Sequence, residues 1–499
     1  MKTKNVMFKN ANWLLAILLT GVFISAGCSF APKYRKPTVQ QPAAYKEPGQ
    51  ELANWKVAEP QDATIRSNWW EMFQQPELNA LEEQITVTNN QTLAAALANF
   101  LAARAVTKQT RAGYFPVVSA DPSITYSKQP SHGSVATGST SSGVITSSSS
   151  PVTAYTLPLD ASWEVDLWGS IRNSVKANAL EAQATLADLL NMRLSIQGEM
   201  AVDYFQLREV DSQKQLLDST TSAYEDSLKL TRVLHDTGIA SDQDVAQAET
   251  QWSTTLAQAT DLGIQRAQLE HAIATLLGKP ASEFSLSNSP LAAKPIPIPF
   301  GVPSQLLERR PDIAAAERRV AEANAEIGVA RAAYFPTITL SGDIGYSGEK
   351  IGSLVSGPGL FWSVGAAAAE TIFDAGRRQA VSEQAWATYQ GKVATYRQTV
   401  LTAFQAVEDN LASLRVLSTE LTQQTDAVSA SQRYLNLAKD RYRLGIDSYL
   451  NVITAQTTLL GNQRTLLNLQ VEQMTASVQL IEGLGGGWDG SLAAKTVKK

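Results

Sequence analysis

Arg111-Ala-Gly-Tyr-Phe-Pro116 recurs as Arg331-Ala-Ala-Tyr-Phe-Pro336, 220 residues further on. In both places an alanine-rich run with helical spacing meets a proline and gives way to a short alternating segment. A residue that precedes proline is pushed out of the helical region, so Phe115 and Phe335 end helices, and Pro116 and Pro336 are the joints at which helix becomes strand. Two further matches are displaced by about 207: Glu164-Val-Asp-Leu-Trp-Gly-Ser-Ile-Arg172 with Glu370-Thr-Ile-Phe-Asp-Ala-Gly-Arg-Arg378, and Thr237-Gly-Ile-Ala-Ser241 with Leu444-Gly-Ile-Asp-Ser448. The drop from 220 to about 207 leaves about a dozen extra residues between the two strands of the first copy. An internal repeat decides a fold, and here it predicts two copies of one helix–strand–strand–helix–helix unit.

Outward from the first joint, Val118, Ala120, Ile124 and Tyr126 alternate with Ser119, Asp121, Ser123 and Thr125 as far as Ser127. Period two with one polar side predicts a two-faced strand. After a Ser/Thr/Gly-rich loop over 128–151, Tyr155, Leu157, Leu159, Ala161, Trp163, Val165 and Leu167 alternate with Thr156, Pro158, Asp160, Ser162, Glu164 and Asp166. The second copy repeats the pattern through Ile338, Leu340, Ile344 and Tyr346, then Leu360, Trp362, Val364, Ala366 and Ala368. Strands of about ten residues match the length needed to cross a bilayer in a barrel. A soluble sheet with one wet face would alternate in the same way, but this chain carries an export signal and offers no second sheet to cover the apolar face. Four such strands cannot close. A bilayer forbids open edges and the smallest barrels have about eight strands, so the barrel has to be shared between copies. Two copies would give a filled interior and three a twelve-stranded lumen. Asp160, Glu164 and Asp166 on the polar face favour water inside and hence three.

Each strand pair is followed by a long helical run, 169–235 and 376–443, each about 100 Å long at about 1.5 Å per residue. Val400, Val407, Leu414, Leu421, Val428, Leu435 and Tyr442 recur every seven residues, which is coiled-coil spacing. The first run keeps Met200, Leu207 and Leu228 but is interrupted by Lys214 and Thr221. Breaks at Gly238 and Gly445 predict short turns and antiparallel return helices, 241–277 and 448–484.

The ends are processing and linker segments. Lys2, Lys4 and Lys9 precede an apolar run from Trp13 to Ile24 and then Ser25-Ala-Gly-Cys28, which reads as a secretory signal and is too short for a permanent membrane helix. Residues 29–68, with Pro32, Pro37, Pro42, Pro48 and Pro60, read as an extended arm. Trp69-Trp70-Glu-Met-Phe73 leads into a helical stretch from Pro76 to about Gly113. The domain boundaries expected are 1–27 signal peptide, 28–68 arm, 69–277 first repeat with its hairpin over 117–168, 278–303 proline-rich linker, 304–484 second repeat with its hairpin over 337–372, and 485–499 disordered tail.

Composition narrows the function. A net charge of −5 gives no basic footprint for nucleic acid. One cysteine excludes a disulfide framework and a cysteine-based metal site. His132, His235 and His271 form no ligand pair. No nucleophile–base motif, phosphate loop or metal cluster is found, so neither an enzyme nor a cofactor is expected.

Together these residues resemble the TolC-like outer-membrane efflux proteins, and within them the lipid-anchored, OprM/NodT-like branch. The resemblance rests on the doubled Tyr-Phe-Pro joints, Phe373-Asp-Ala-Gly-Arg377, Leu307-Glu-Arg-Arg-Pro-Asp312 and the two glycine-centred turns, and it covers nearly the whole mature chain. It implies lipidation of Cys28, with Ser25 departing from the usual aliphatic residue. It implies a homotrimer with a twelve-stranded outer-membrane barrel continuous with a periplasmic helical tunnel. The expected partners are a periplasmic adaptor and an inner-membrane transporter of the RND type. By the same resemblance Asp244 and Tyr442 fall where the family carries tip residues that close the tunnel, while Asn451 and Thr454 stand where some members have aspartates, so Asp447 is a further candidate. Gly238, Ile239, Ala240, Gly445 and Ile446 are the expected adaptor-facing turns, although glycine there also simply ends a helix. A general porin and a periplasmic coiled-coil scaffold are the rival readings. The porin has no use for such long helices, and the scaffold leaves four amphipathic strands exposed. The cargo is not legible.

Overall fold

A computed structural model describes residues 29–39, 42, 45–47, 68–128, 151–292, 310–355 and 357–486. The signal segment, Cys28, most of the arm, the Ser/Gly-rich loop, most of the linker and the tail beyond 486 lie outside the described residues.

Two compact units emerge. One comprises Arg104–Leu180 and Val320–Gly391 with the described N-terminal residues up to Arg35; the other comprises the remaining described residues from Lys36 on. The first holds a single antiparallel sheet. Its strands are β1 (Val117–Ser119), β2 (Ser123–Ser127), β3 (Val152–Val165), β4 (Thr337–Gly348) and β5 (Leu360–Ala369), in the order β1-β3-β4-β5 with β2 also on β3. The first strand expected over 117–127 is thus two strands. Pro122 sits in the gap and has no N–H to give to a ladder.

The register sorts side chains by chemistry. Leu157 faces Tyr346, Leu159 faces Ile344, Trp163 faces Leu340 and Val165 faces Ile338. On the other face Asp160 lies opposite Asp343, Ser162 opposite Ser341 and Glu164 opposite Thr339. Trp362 and Val364 of β5 continue the apolar face beside Ile344 and Gly342. Because side chains alternate with period two, a slip of one residue would invert both faces.

The helices come in two sets of equal length: α2 (Gln91–Ala112) with α5 (Pro311–Ala332), α3 (Ser170–Asp236) with α6 (Arg377–Arg443), and α4 (Asp242–Leu276) with α7 (Tyr449–Gly483). A short helix α1 (Pro76–Glu82) precedes α2, and the stretch read as one helix from 76 to 113 is broken at 83–90. Asn90 sets the restart: its Oδ1 accepts from Leu93 N at 2.9 Å and its Nδ2 donates to the Leu276 carbonyl at 2.8 Å. No helix among the described residues is long and apolar enough to cross a membrane.

In the second unit the core is the seam between helices. Val400, Val407, Leu414 and Leu435 of α6 are buried as the sevenfold spacing predicts. In α3 the seam does not stop where Lys214 and Thr221 interrupt it. Val210, Leu217, Tyr224 and Thr231, also seven apart, are buried on the companion position, and Val210 and Leu217 pack with Ala259, Leu262 and Leu460.

Candidate functional site

Three places have side-chain geometry that bears on function: the helical turns, the joints and the polar face of the sheet.

At the first turn α3 ends in a Schellman arrangement. Gly238 N donates to the His235 carbonyl at 2.8 Å and Ile239 N to the Leu234 carbonyl at 2.9 Å. The second turn repeats it, Gly445 N to Tyr442 at 2.9 Å and Ile446 N to Arg441 at 3.0 Å. Gly238 and Gly445 have φ of +77° and +70°, the left-handed conformation that this motif needs and that glycine adopts without a Cβ penalty. Around each glycine a Cβ would find open space, so conformation alone selects the residue. Ile239, Leu444 and Ile446 are largely exposed. Apolar side chains held out on rigid, tightly bonded turns suit contact with another protein.

Beneath the turns Leu228, Ala248, Leu435, Ala438, Tyr449, Val452 and Leu459 form one cluster, with Val245, Trp252 and Tyr442 against it. Tyr442 and Tyr449 meet at 5.2 Å between ring centroids. Burial first, and the neighbouring Tyr442 second, push the Tyr449 hydroxyl up to about 12, so it carries no charge in physiological conditions. A groove of about 270 Å³ opens beside these rings, with Asp226, Ser227, Lys439 and Arg443 on its walls.

The two acidic candidates have local partners. Asp244 completes a reciprocal cap on α4: its Oδ2 accepts from Ser241 N at 3.0 Å and Ser241 Oγ at 2.8 Å, and Ser241 Oγ accepts from Asp244 N at 3.2 Å. Asp447 is paired with Arg441, whose hydrogen bond holds its carboxyl below the usual range. Across the first turn His235 Nε2 stands 2.9 Å from Asp242. Tyr442 and Asp447 belong to the second turn, and Asp244 of the first lies close enough to act on the Tyr442 hydroxyl.

At the joints, Phe115 N donates to Ala112 O at 3.0 Å and Phe335 N to Ala332 O at 3.1 Å, after which Pro116 and Pro336 deliver the chain to β1 and β4. Indole groups seal both. Trp163 Nε1 donates to the Tyr114 carbonyl at 3.1 Å and Trp168 Nε1 to the Pro336 carbonyl at 2.7 Å. Phe335 meets Phe30 at 4.3 Å and Trp168 at 5.0 Å, and Phe30 and Trp168 are 6.4 Å apart, so the three rings form a triangle. Asp166 caps α3 through Ile171 N and Arg172, and Asp374 caps α6 through Gly376 N and Arg378. Ser29, the residue after Cys28, hydrogen-bonds Asn173 at 3.1 Å.

A buried ionic knot escaped the sequence reading. Arg208 is 2% exposed and reaches Glu77 at 2.6 Å, Asp211 at 2.7 Å and the Ser287 carbonyl at 2.7 Å. Arg266 joins from α4, to Asp211 at 2.8 Å, Glu270 at 2.9 Å and the Leu286 carbonyl at 2.6 Å. The available signal was opposite charge at i,i+3 and i,i+4, Arg208 with Asp211 and Arg266 with Glu270, set in otherwise apolar faces. No group of His, Cys, Asp and Glu among the described residues could hold a metal ion.

The profile of the outer membrane efflux protein family matches residues 84–279 and again 302–486. The chain belongs to this family. The toluene efflux pump outer membrane protein TtgC of Pseudomonas putida is 34% identical over 482 residues, covering 95% of this chain and 96% of that one. The pyoverdine export outer membrane protein OpmQ of Pseudomonas aeruginosa is 31% identical over 486 residues, covering 96% and 97%. Among solved structures the outer-membrane channel OprN superposes with a TM-score of 0.83 at 31% identity, covering 92% of this chain and all of that one. This outer-membrane efflux protein is therefore a mostly helical channel protein with some sheet, as its sequence led one to expect.

Proposed function

We infer that this efflux protein is the exit duct of a tripartite pump, a passive channel for small molecules driven by an inner-membrane transporter, of the RND type, through a periplasmic adaptor. Three copies pool their strands into a twelve-stranded barrel, and the helices of each form one third of a tunnel wall. The chain divides into two repeats, 69–277 and 304–484, joined by the linker over 278–303, with Cys28 lipidated and holding the N-terminus at the membrane.

The observation that carries this reading is the sheet: one face apolar, the other polar, and both outer margins without a strand partner among the described residues. In a bilayer such margins must pair. The turns Gly238-Ile239-Ala240 and Gly445-Ile446 face the adaptor, and Asp244, Tyr442 and Asp447 constrict the closed tip. Once tripled by symmetry, inward charged groups become rings that filter ions. Toluene and pyoverdine, named for two comparably similar relatives, share little chemistry. The duct accordingly does not choose cargo; the transporter does.

Gly445→Arg, which places a bulky cation on a left-handed turn, is expected to abolish export while leaving the detergent-solubilised mass unchanged. Wild-type drug susceptibility of that variant at wild-type expression would overturn the adaptor role of the turn.

A further inference from the structure

The 220-residue repeat gives the outer face of the helices an occupant in one copy and none in the other. In the second copy the N-terminal arm runs along α5. Asn324 Nδ2 donates to the Pro32 carbonyl at 2.8 Å, Arg331 Nη1 donates to the Phe30 carbonyl at 3.5 Å, and a Cβ on Gly328 would stand 2.7 Å from that of Ala31. The arm leads back to Cys28, the anchored end, so the face it covers is the exterior of the duct. Moved back by 220, these three positions are Arg104, Lys108 and Arg111 of α2. Lys108 stands where the arm demands glycine, so the first copy cannot seat a strap of this kind. It presents three bases instead, at i, i+4 and i+7, which is one face of a helix.

Among the described residues nothing neutralises them. α2 contains no acidic residue, Lys108 and Arg111 are exposed, and none of the three makes an ion pair or a side-chain hydrogen bond there. Asp166, at the start of α3, is taken by Arg172. Depth then selects the partner. Exposed Phe115 and Phe373 stand where the sheet meets the helices, the place at which membrane barrels carry an aromatic girdle. At about 1.5 Å per residue, Arg111, Lys108 and Arg104 lie about 2, 6 and 12 Å below the end of α2. A headgroup layer is about 5–7 Å thick, and charge is felt over about another 8 Å.

We propose that Arg104, Lys108 and Arg111 bind the phosphates of anionic phospholipids in the periplasmic leaflet of the outer membrane. The stripe thereby holds the first helix–strand joint at the bilayer, as the arm holds the second. This rests on the anchored-duct reading above, which fixes both the exterior and the depth. An acidic headgroup is the occupant that supplies the opposite charge at that depth, where the sheet has just left the hydrocarbon.

The test uses the full-length protein in phosphatidylcholine vesicles carrying a trace of spin-labelled phosphatidylglycerol or spin-labelled phosphatidylcholine. Electron paramagnetic resonance reads the fraction of each lipid held at the protein. A base at an anionic membrane surface strengthens binding about fivefold, so the wild type should hold the glycerol lipid severalfold more than the choline lipid. Arg104→Gln with Lys108→Gln and Arg111→Gln should bring the ratio most of the way to one, each single variant part of the way, and the triple glutamate variant below one. Arg397→Gln, which removes an exposed base about 30 Å further down α6, should leave it unchanged. A wild-type ratio of one, or a ratio that the triple glutamine variant keeps, would overturn the stripe. A shifted reversal potential with the ratio intact would place the three bases in the permeation path, and a lost trimeric mass would assign them to contact between copies; either result also overturns it. Labelled palmitate at Cys28, absent from Cys28→Ser, checks the anchor separately. Labelled protein without a lipid preference would overturn the stripe alone, and unlabelled protein with the preference would overturn the anchor alone.

Discussion

Burial first, and the neighbouring Glu199 second, push the Asp203 carboxyl up to about 6. The folded chain thus holds a proton that the unfolded chain releases at the ordinary carboxylate pKa of about 4. The stabilisation from this group is full below about pH 4 and is lost as the pH rises through about 6. Asp203→Asn should consequently melt above wild type at pH 8, with the gap closing as the pH falls below 4; melting followed by circular dichroism in detergent at both pH values reads it, and an equal gap at the two would refute the linkage. Residue identity alone is a poor guide to such effects. Asp244, a gate candidate by resemblance, also completes the cap on Ser241 with its carboxylate. Local hydrogen bonding sets the direction of that carboxylate.

The long helices were legible because their period is long and regular. Interruption of the α3 stripe at Lys214 and Thr221 came from following one of its two seam positions; Val210, Leu217, Tyr224 and Thr231 carry the other. The break at 83–90 and the gap at Pro122 were less legible: Asn90 is of a type that caps helices, but its amide is also held by the distant Leu276 carbonyl, which no local pattern places. The Arg208–Asp211–Arg266 knot belongs to this level too. It fastens the segment that follows α4: Asp211 accepts from Ser289 N at 3.0 Å, Glu270 from Leu286 N at 2.7 Å and Ser212 Oγ from Leu291 N at 2.8 Å. Arg208→Met removes one partner of a buried carboxylate while Arg266 remains, so a loss of about 3 kcal/mol is expected, at the low end for breaking a buried pair. Denaturant titration in detergent measures it, and a loss within the scatter of an ordinary surface substitution would mean that the knot contributes nothing.

For the whole molecule, the polar face of the sheet carries a cost that stability does not explain. Asp160 and Asp343 lie directly opposite on adjacent strands, a like-charge pairing that destabilises a sheet, with Asp343 also accepting from Ser363 Oγ. In the proposed trimer these pairs would line the barrel with negative charge. Asp160→Asn with Asp343→Asn should lower the preference for cations over anions in planar-bilayer conductance and raise thermal stability slightly. Unchanged reversal potentials in asymmetric salt would show that these carboxylates do not face the permeation path.

Period and punctuation along the chain were enough to foresee strands, long helices, turns and joints, because each depends on spacing among near neighbours: seven for a seam, two for a sheet face, proline and glycine where the backbone must change region. Which strand lies beside which, and in what register, depends on pairs as far apart in the chain as Tyr155 and Gly348, and no local period encodes those. Folding set β3 against β4 and thereby fixed the inner seam. The charge knot and the aromatic cluster of Phe30, Phe335 and Trp168 likewise exist only where distant segments meet, because buried ions and stacked rings are stabilised by partners that the neighbouring sequence does not supply.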